Sequence, residues 1–362
     1  MRILQVVSDT DRRGAQVFAT DLEPALRARG HEVETIALAP GAAGGLDVEA
    51  LGAHWRSAGV LRELRARMAR VDVTAAHGSS AGPACALAGL GRGRPVVYRQ
   101  ISDSRFWAPT RAKRAQVRAT LSSARVVVAL SEFNRTELVE WIGLRPDRIV
   151  VVPNGVPADR FPPATAATRV AARAALCVPD RPGSTPVPVV VFVGALAPEK
   201  GADLAIRAIG RIAGAHLVVA GAGVEADRLE RLGGEVAPGR VTFTGTIADA
   251  APLYHAADLL VLPSRGGDAM PAVIIEAGFC ALPVVSTAVG AIPEMVVDEE
   301  SGYVVAPDDL DGLTDRIGRL LSDPVARAAM GGAARERCLE RYEIARVAEG
   351  WDAALRRAAD TP

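Results

Sequence analysis

The sequence predicts an α/β protein built from two doubly wound, Rossmann-like domains in tandem. Three observations support this. Short β-branched runs alternate with helical stretches along the chain, the pattern of a parallel sheet covered by helices. The alternation is broken once, by a Pro- and Ala-rich stretch near the middle, and then restarts. The length, 362 residues, exceeds the roughly 250–300 residues at which a single core usually divides.

Hydrophobic residues make up 49% and charged residues 23% of the chain, which suits a globular protein and leaves little scope for disorder outside a linker. Aromatic residues are only 4%, so small aliphatic side chains must fill the interior. The first strand is RILQVVS (2–8). Its apolar run ends after a few residues, too soon for a signal-peptide core or a membrane span. Four cysteines, Cys85, Cys177, Cys280 and Cys338, are widely spaced with no CxxC pair, so neither a zinc knuckle nor a disulfide framework is expected. A cytoplasmic location follows as the expectation.

The helix FATDLEPALRARG (18–30) comes next, and Gly30 stands where a glycine terminates a helix. EVETIAL (32–38), VDVTAAH (71–77), PVVYRQ (95–100) and RVVVAL (125–130) continue the first sheet. The first domain is expected over 1–160, leaving through VVVPNGVPADRFPP, and a linker over 161–186. The VPDRPGSTPVP in that linker pushes each residue before a proline toward extended backbone. The second domain, 187–344, restarts the alternation with VPVVVFVG, HLVVAGAG (216–223), RVTFTG (240–245), DLLVLPS (258–264), LPVVST (282–287) and GYVVAP (302–307). Open sheets of this kind bind ligands at the carboxyl ends of their strands, so the informative residues should follow strands.

The chain is formally neutral, with 42 basic and 42 acidic residues. Residues 1–155 nevertheless hold 22 Arg and Lys against 15 Asp and Glu, an excess of 7 that the remainder reverses. The basic runs WRSAGVLRELRARMAR (55–70) and RAKRAQVR (111–118) read as solvated helix faces. The other reading is contact with an anionic acceptor or, peripherally, a membrane surface. No nucleic-acid partner is expected. Every basic residue except Lys113 and Lys200 is arginine, which singles out those two positions.

Four segments carry candidate chemistry. SDTDRRGAQVF leaves a strand through Gly14 into a helix, where backbone N–H groups and the helix dipole favour an anion; an ordinary strand-to-helix turn reads the same way. Asp9, Thr10 and Asp11 spell the DxD that often holds a metal on a nucleotide sugar, but two acids at one strand end are a cheap coincidence, and no metal is expected. VFVGALAPEKGADLAIRAI (191–209) ends a strand at Gly194 and sets Lys200 just before a helix, where its ammonium can complement a phosphate. LPSRGGDAMPAVIIEAGFCALPVVST (262–287) places Asp268 and Glu276 eight residues apart, one in a Gly-rich loop and one on a helix opening near Pro271. Carboxylates so placed can accept paired hydrogen bonds from vicinal hydroxyls. In VDVTAAHGSSAGPACALAGL (71–90), His77 ends a strand beside a Gly-Ser-Ser turn, as an active-site or a satisfied core histidine would. The GxGxxA at Gly221, Gly223 and Ala226 is dismissed as a dinucleotide site, because no acid ends the next strand, VTFTGT (241–246).

Taken in order, these segments resemble glycosyltransferase family 4, retaining transferases of the GT-B fold with two Rossmann-like domains facing across a cleft. The counterparts are RGAQ (13–16), AAHG (75–78), SEFNRTELVEWIGLRPDRIVVVPNGVPADRF (131–161), VGALAPEKG (193–201), D-x7-E from Asp268 to Glu276 followed by AGFCALPVV, and AVGAIPEMVVDEESGYVVAPDDLDGL (288–313). The resemblance implies a metal-independent hexosyl transfer from a UDP- or GDP-type sugar, a co-substrate rather than a cofactor, to a metabolite, secondary-metabolite aglycone or lipid-linked acceptor. It implies catalytic roles for His77, Lys200 and Asp268: His77 approaches the reacting sugar, Lys200 neutralises the diphosphate and Asp268 meets the donor sugar. Donor contacts fall to Arg13, Gly14, Gly194, Thr246, Ile247, Ala269, Met270, Pro271, Ala272 and Glu276, with Glu276 on the ribose. Arg99, Ser102 and Asn154 fall on the acceptor side, and the last helix, 345–362, crosses back to the first domain.

Three positions depart from the family pattern. Ala195 replaces an arginine after the strand glycine, Arg13 replaces the first glycine of GGA, and Asp268 replaces a glutamate. Loss of a charge-assisted phosphate contact weakens binding by about 1.5–3 kcal/mol, and Arg13 or Arg265 is the expected substitute. Ala195 and Asp268 keep one rival open, a catalytically silent GT-B subunit that binds nucleotide or a partner; a second, a nucleotide-sugar epimerase, stays open because a fold does not fix a function.

Overall fold

The computed structural model describes residues 1–42, 44–91, 95–176, 178 and 186–360. The chain forms two compact units, Met1–Pro157 with Tyr342–Pro362, and Ala158–Arg341.

The first unit holds a seven-stranded parallel sheet: β1 (Arg2–Asp9), β2 (Glu32–Ala39), β3 (Glu49–Ala50), β4 (Val73–His77), β5 (Val96–Arg99), β6 (Val126–Ala129) and β7 (Ile149–Val151). Its order is β3-β2-β1-β4-β5-β6-β7. The chain reverses its direction of winding between β1 and β4, where such sheets open a ligand crevice. Register sets Val7 opposite His77 and His77 opposite Arg99, so these residues share one row at the carboxyl end. The β4, β5 and β6 strands are buried throughout, as expected when helices cover both faces. On one face the helices Gly14–Ala28 and Ile344–Asp360 bring Phe18, Leu22, Trp351 and Leu355 against Ile3, Val97 and Val126. Trp351 has no exposed surface, and burying so large a ring contributes roughly 4–6 kcal/mol by area. The opposite face packs Val60, Leu64 and Leu121 on Leu4, Val6 and Val127.

The second unit holds a six-stranded parallel sheet: β8 (Val189–Val193), β9 (His216–Ala220), β10 (Val241–Gly245), β11 (Leu259–Leu262), β12 (Val284–Thr287) and β13 (Gly302–Val305). Its order is β10-β9-β8-β11-β12-β13, with the reversal between β8 and β11. Both sheets are thus of the doubly wound type.

The unit boundaries differ from the sequence reading. The chain passes to the second unit after Pro157 and returns at Tyr342, not at 160 and 344. The stretch 161–186 contains the helix Ala166–Ala175, started by a Thr165–Thr168 capping box, while residues 179–185 lie outside the described residues. That helix belongs to the second unit because Arg169 and Arg173 clasp Asp258 at 2.6 and 3.0 Å and also donate to the carbonyls of Ala257 and Ala256. Among the described residues no helix is long and apolar enough to cross a membrane.

Candidate active site

In the second unit the candidate residues gather at the carboxyl ends of β8 and β11, on either side of the reversal. After β8 the chain makes a single 3-10 turn, Pro198–Lys200, and Gly201 opens the helix Ala202–Arg211. Gly201 has φ +68°, and a Cβ there would lie 2.0 Å from the Pro263 carbonyl oxygen. The turn that carries Lys200 is therefore pressed onto the exit of β11 and requires glycine.

Lys200 pairs with Asp268 Oδ1, and the Ser264 hydroxyl donates to Asp268 Oδ2 at 2.5 Å. Asp268 and Ser264 are buried while Lys200 is half-buried, so the ammonium is the member of this network that reaches solvent. The geometry makes Asp268 the anchor of Lys200. Its loop is held from behind: Ala291 N–H donates to the Ala269 carbonyl at 3.0 Å, and a Cβ on Gly290, whose φ is +55°, would sit 1.8 Å from the Asp268 carbonyl oxygen. Ala269 and Met270 are buried. Pro271 and Ala272 are half-buried at the start of the helix Ala272–Phe279, which carries a half-buried Glu276. The buried Tyr254 hydroxyl donates to Glu276 Oε2 at 2.7 Å. Gly194 is half-buried and Ala195 exposed after β8, while Thr246 is exposed and Ile247 half-buried after the edge strand β10.

Arg265, one of the two arginines expected to replace the cation missing at Ala195, is engaged by carboxylates. Asp203 holds its guanidinium through two bonds of 2.7 and 3.0 Å and Asp308 through a third of 2.6 Å. These carboxylates push its pKa further above the usual arginine range. The glycines of the GxGxxA have a packing reason: a Cβ on Gly221 would meet the Gly194 carbonyl oxygen at 1.8 Å and one on Gly223 the Leu196 carbonyl oxygen at 2.3 Å.

In the first unit the helix Gly14–Ala28 starts at Gly14, with Arg13 as its N-cap residue making no side-chain cap bond. The exposed Arg13 side chain lies 2.5 Å from Asp11 Oδ2. Asp9 Oδ1 accepts from Asp11 N–H at 3.1 Å and from Gln16 Nε2 at 2.8 Å, and Asp11 Oδ1 accepts from Gly44 N–H at 2.9 Å. The two aspartates brace their own loop.

His77 ends β4, but its imidazole turns inward. It is fully buried, with ring centroids 6.0 Å from Phe18 and 5.1 Å from Trp351. Neither ring nitrogen has a hydrogen-bond partner. Burial, together with the nearby Arg99 charge, holds its pKa well below the usual histidine range, so the ring is neutral. The expected approach of His77 to a sugar is not what this packing presents, because Phe18 and Trp351 enclose the ring. Arg99, its neighbour across the sheet, is also buried. Its guanidinium stacks 3.8 Å over Phe18 and donates from Nη2 to Asn154 Oδ1, while Nε and Nη1 have no partner. Ser102 is half-buried, its hydroxyl accepting from Gln100 Nε2 at 2.8 Å.

A family signature described as Glycosyltransferase Family 4 matches residues 12–160, and one described as Glycosyl transferases group 1 matches 187–323. The chain is 32% identical over 289 residues to the GDP-mannose-dependent alpha-(1-6)-phosphatidylinositol monomannoside mannosyltransferase of Mycolicibacterium smegmatis, covering 75% of this chain and 73% of that one. The chain belongs to glycosyltransferase family 4. This family-4 protein is a nucleotide-sugar glycosyltransferase. It is also 38% identical over 199 residues to the D-inositol 3-phosphate glycosyltransferase of Mycolicibacterium paratuberculosis, a match spanning 52% of this chain and 43% of that one. Its fold is that of Anabaena HepE, solved in complex with UDP-glucose, at TM-score 0.86 and 21% identity over 98% of this chain and 99% of that one. The GT-B expectation therefore stands.

Sequence reasoning missed three residues that shape the site of this family-4 chain. Ser264 closes the quoted strand but is an ordinary serine until Asp268 folds back onto it. Gly290 lies 22 residues beyond Asp268. Tyr254 offered one available signal, a lone aromatic on the short helix APLYHA in a chain with 4% aromatics.

Proposed function

We propose that this family-4 enzyme transfers a hexosyl group from a UDP- or GDP-sugar, with retention and without a metal, to a hydroxyl of an anionic, polyol-type acceptor in the cytoplasm. The supporting observation is the Ser264–Asp268–Lys200 network, which holds one ammonium at the solvent face of the β8–β11 reversal, with Glu276 on the helix that follows. Charge grows on the leaving diphosphate as the anomeric bond breaks. An ammonium fixed beforehand by a buried carboxylate, together with helix N-termini, stabilises that charge without reorganising. On the acceptor side Arg99 is buried and stacked on Phe18, so the anionic acceptor class rests on the relatives. The relatives named for phosphatidylinositol monomannoside and inositol 3-phosphate agree with that class.

The test is titration of UDP and GDP into the wild type and Lys200→Gln, followed by turnover of the matching sugars with inositol-type acceptors in EDTA. Lys200→Gln should weaken the preferred nucleotide by about 1.5–3 kcal/mol, turnover should survive EDTA, and the product should keep the donor's anomeric configuration by NMR. Unchanged nucleotide affinity removes Lys200 from the donor site, and activity lost to chelation and restored by a divalent ion overturns the metal-free reading. Tight nucleotide binding with no transfer to any acceptor would favour the silent-subunit reading that Ala195 and Asp268 keep open.

A further inference from the structure

The carboxylate of Glu276 is held by a second residue that neither the motif nor the family signature points to. Tyr254 sits on the helix Ala251–Ala256, 22 residues before Glu276, and is 1% exposed. Its ring packs edge-on against the buried Phe161, with centroids 6.0 Å apart. A buried phenol must satisfy its O–H, and Tyr254 donates to Glu276 Oε2 at 2.7 Å. The terminal torsion of a glutamate is soft and roughly two-fold. A donor fixed in the core removes that freedom and sets the plane in which the carboxylate meets a ligand from the solvent side, where Glu276 is half-exposed. Burial and the Glu276 charge push the Tyr254 phenol well above its usual range, so it stays a donor at any working pH.

We propose that Tyr254 is a positioning residue for donor recognition, locking the Glu276 carboxylate so that it accepts both vicinal hydroxyls of the nucleotide ribose. This rests on the reading that Glu276 holds the ribose. A purely structural role for Tyr254 would satisfy its own hydroxyl and leave the ribose contact unaffected. The two roles separate by comparing a nucleotide that has the diol with one that lacks it.

The experiment measures affinities of UDP and GDP, and of their 2′,3′-dideoxy counterparts, for wild type, Tyr254→Phe, Glu276→Ala and the double variant. The ratio of the two affinities within one variant does not depend on the fraction folded. The expected result is that Tyr254→Phe weakens the parent nucleotide about three- to tenfold and leaves the dideoxy nucleotide unchanged. Glu276→Ala should lower the same ratio at least as far, and adding Tyr254→Phe to it should change nothing more. If Glu276→Ala lowers the ratio and Tyr254→Phe does not, or if the two effects add in full, the positioning role is wrong while the ribose reading stands. If Glu276→Ala leaves the ratio untouched, the ribose reading itself has failed.

Discussion

Replacing Arg99 with methionine should leave the first unit as stable as before or make it more stable. A guanidinium deep in the interior is costly: burial brings the Arg99 pKa well below the usual arginine range, to about 9, which disfavours the charged form by about 5 kcal/mol. Offsetting it are the stack on Phe18, about 1–2 kcal/mol for a desolvated pair, and the bond to Asn154, about 1.5–3 kcal/mol. The balance is near zero or slightly unfavourable to the arginine, and methionine of similar length keeps the apolar contact. Both the folded value near 9 and the unfolded value lie above neutrality, so the cost is constant at pH 7; stability rises only as pH climbs above about 9 toward the ordinary arginine range. All four tryptophans, Trp55, Trp107, Trp141 and Trp351, lie in the first unit, so tryptophan fluorescence during urea unfolding reads that unit alone. A variant within about 1 kcal/mol of wild type, or more stable, agrees with an uncompensated charge. A loss of about 3–5 kcal/mol, the usual result of breaking a paired buried charge, would refute the reasoning, because it would mean that the guanidinium has a counter-charge.

Glu137 is buried in the first unit and takes the Ser104 N–H at 2.9 Å, while burial and the Asp103 charge raise its pKa from 4.5 to about 6. Its folded state favours the protonated acid, so the stability it contributes is present below about 4.5 and is lost as pH rises through about 6. Glu137→Gln should match wild type at pH 4 and exceed it by up to about 2 kcal/mol at pH 7, read by the same tryptophan signal; a difference independent of pH would dismiss this account. Gly290→Ala should destabilise the second unit by at least about 2 kcal/mol and weaken nucleotide binding, because the new methyl group collides with the backbone of the Asp268 loop. Calorimetric melting of an alanine variant as stable as wild type would show that the loop yields freely.

Much of this organisation could be read from the order of residues, and what could not has physical reasons. The strands β8, β11 and β12 were legible because strands covered on both faces read as short, mostly aliphatic runs, whereas β3, two residues long, has no period to detect. The helix Gly14–Ala28 begins four residues before its sequence signal, since Arg13 and Gly14 read as a turn until the chain commits to helix. The helix Ala166–Ala175 looked like linker because its partner, Asp258, lies 85 residues or more away. Lys200 and Asp268 were singled out from their places after strands and Glu276 from its place on the helix that follows. What steadies them is a tertiary matter: Ser264 and Tyr254 reach those acids only once β11 and the helix Ala251–Ala256 are packed. The inward turn of His77 was equally hidden, because Trp351, which encloses it, stands 274 positions further on.

That same distance governs the order in which the molecule can be finished. Trp351, Val347 and Leu355 complete a core begun by Ile3 and Phe18, yet Ala158–Arg341 must be made in between. At roughly 5–20 residues per second the ribosome takes about 10–40 s to cover that interval. Throughout it, that face of the first sheet has the helix Gly14–Ala28 but not Ile344–Asp360, and the second unit has its whole sequence before that last helix is made. Synthesis therefore completes the sequence of the second unit before that of the unit that was started first. The protease sensitivity of chains halted before Tyr342 measures the interval, and the nascent N-terminal half is where folding helpers have the longest time to act.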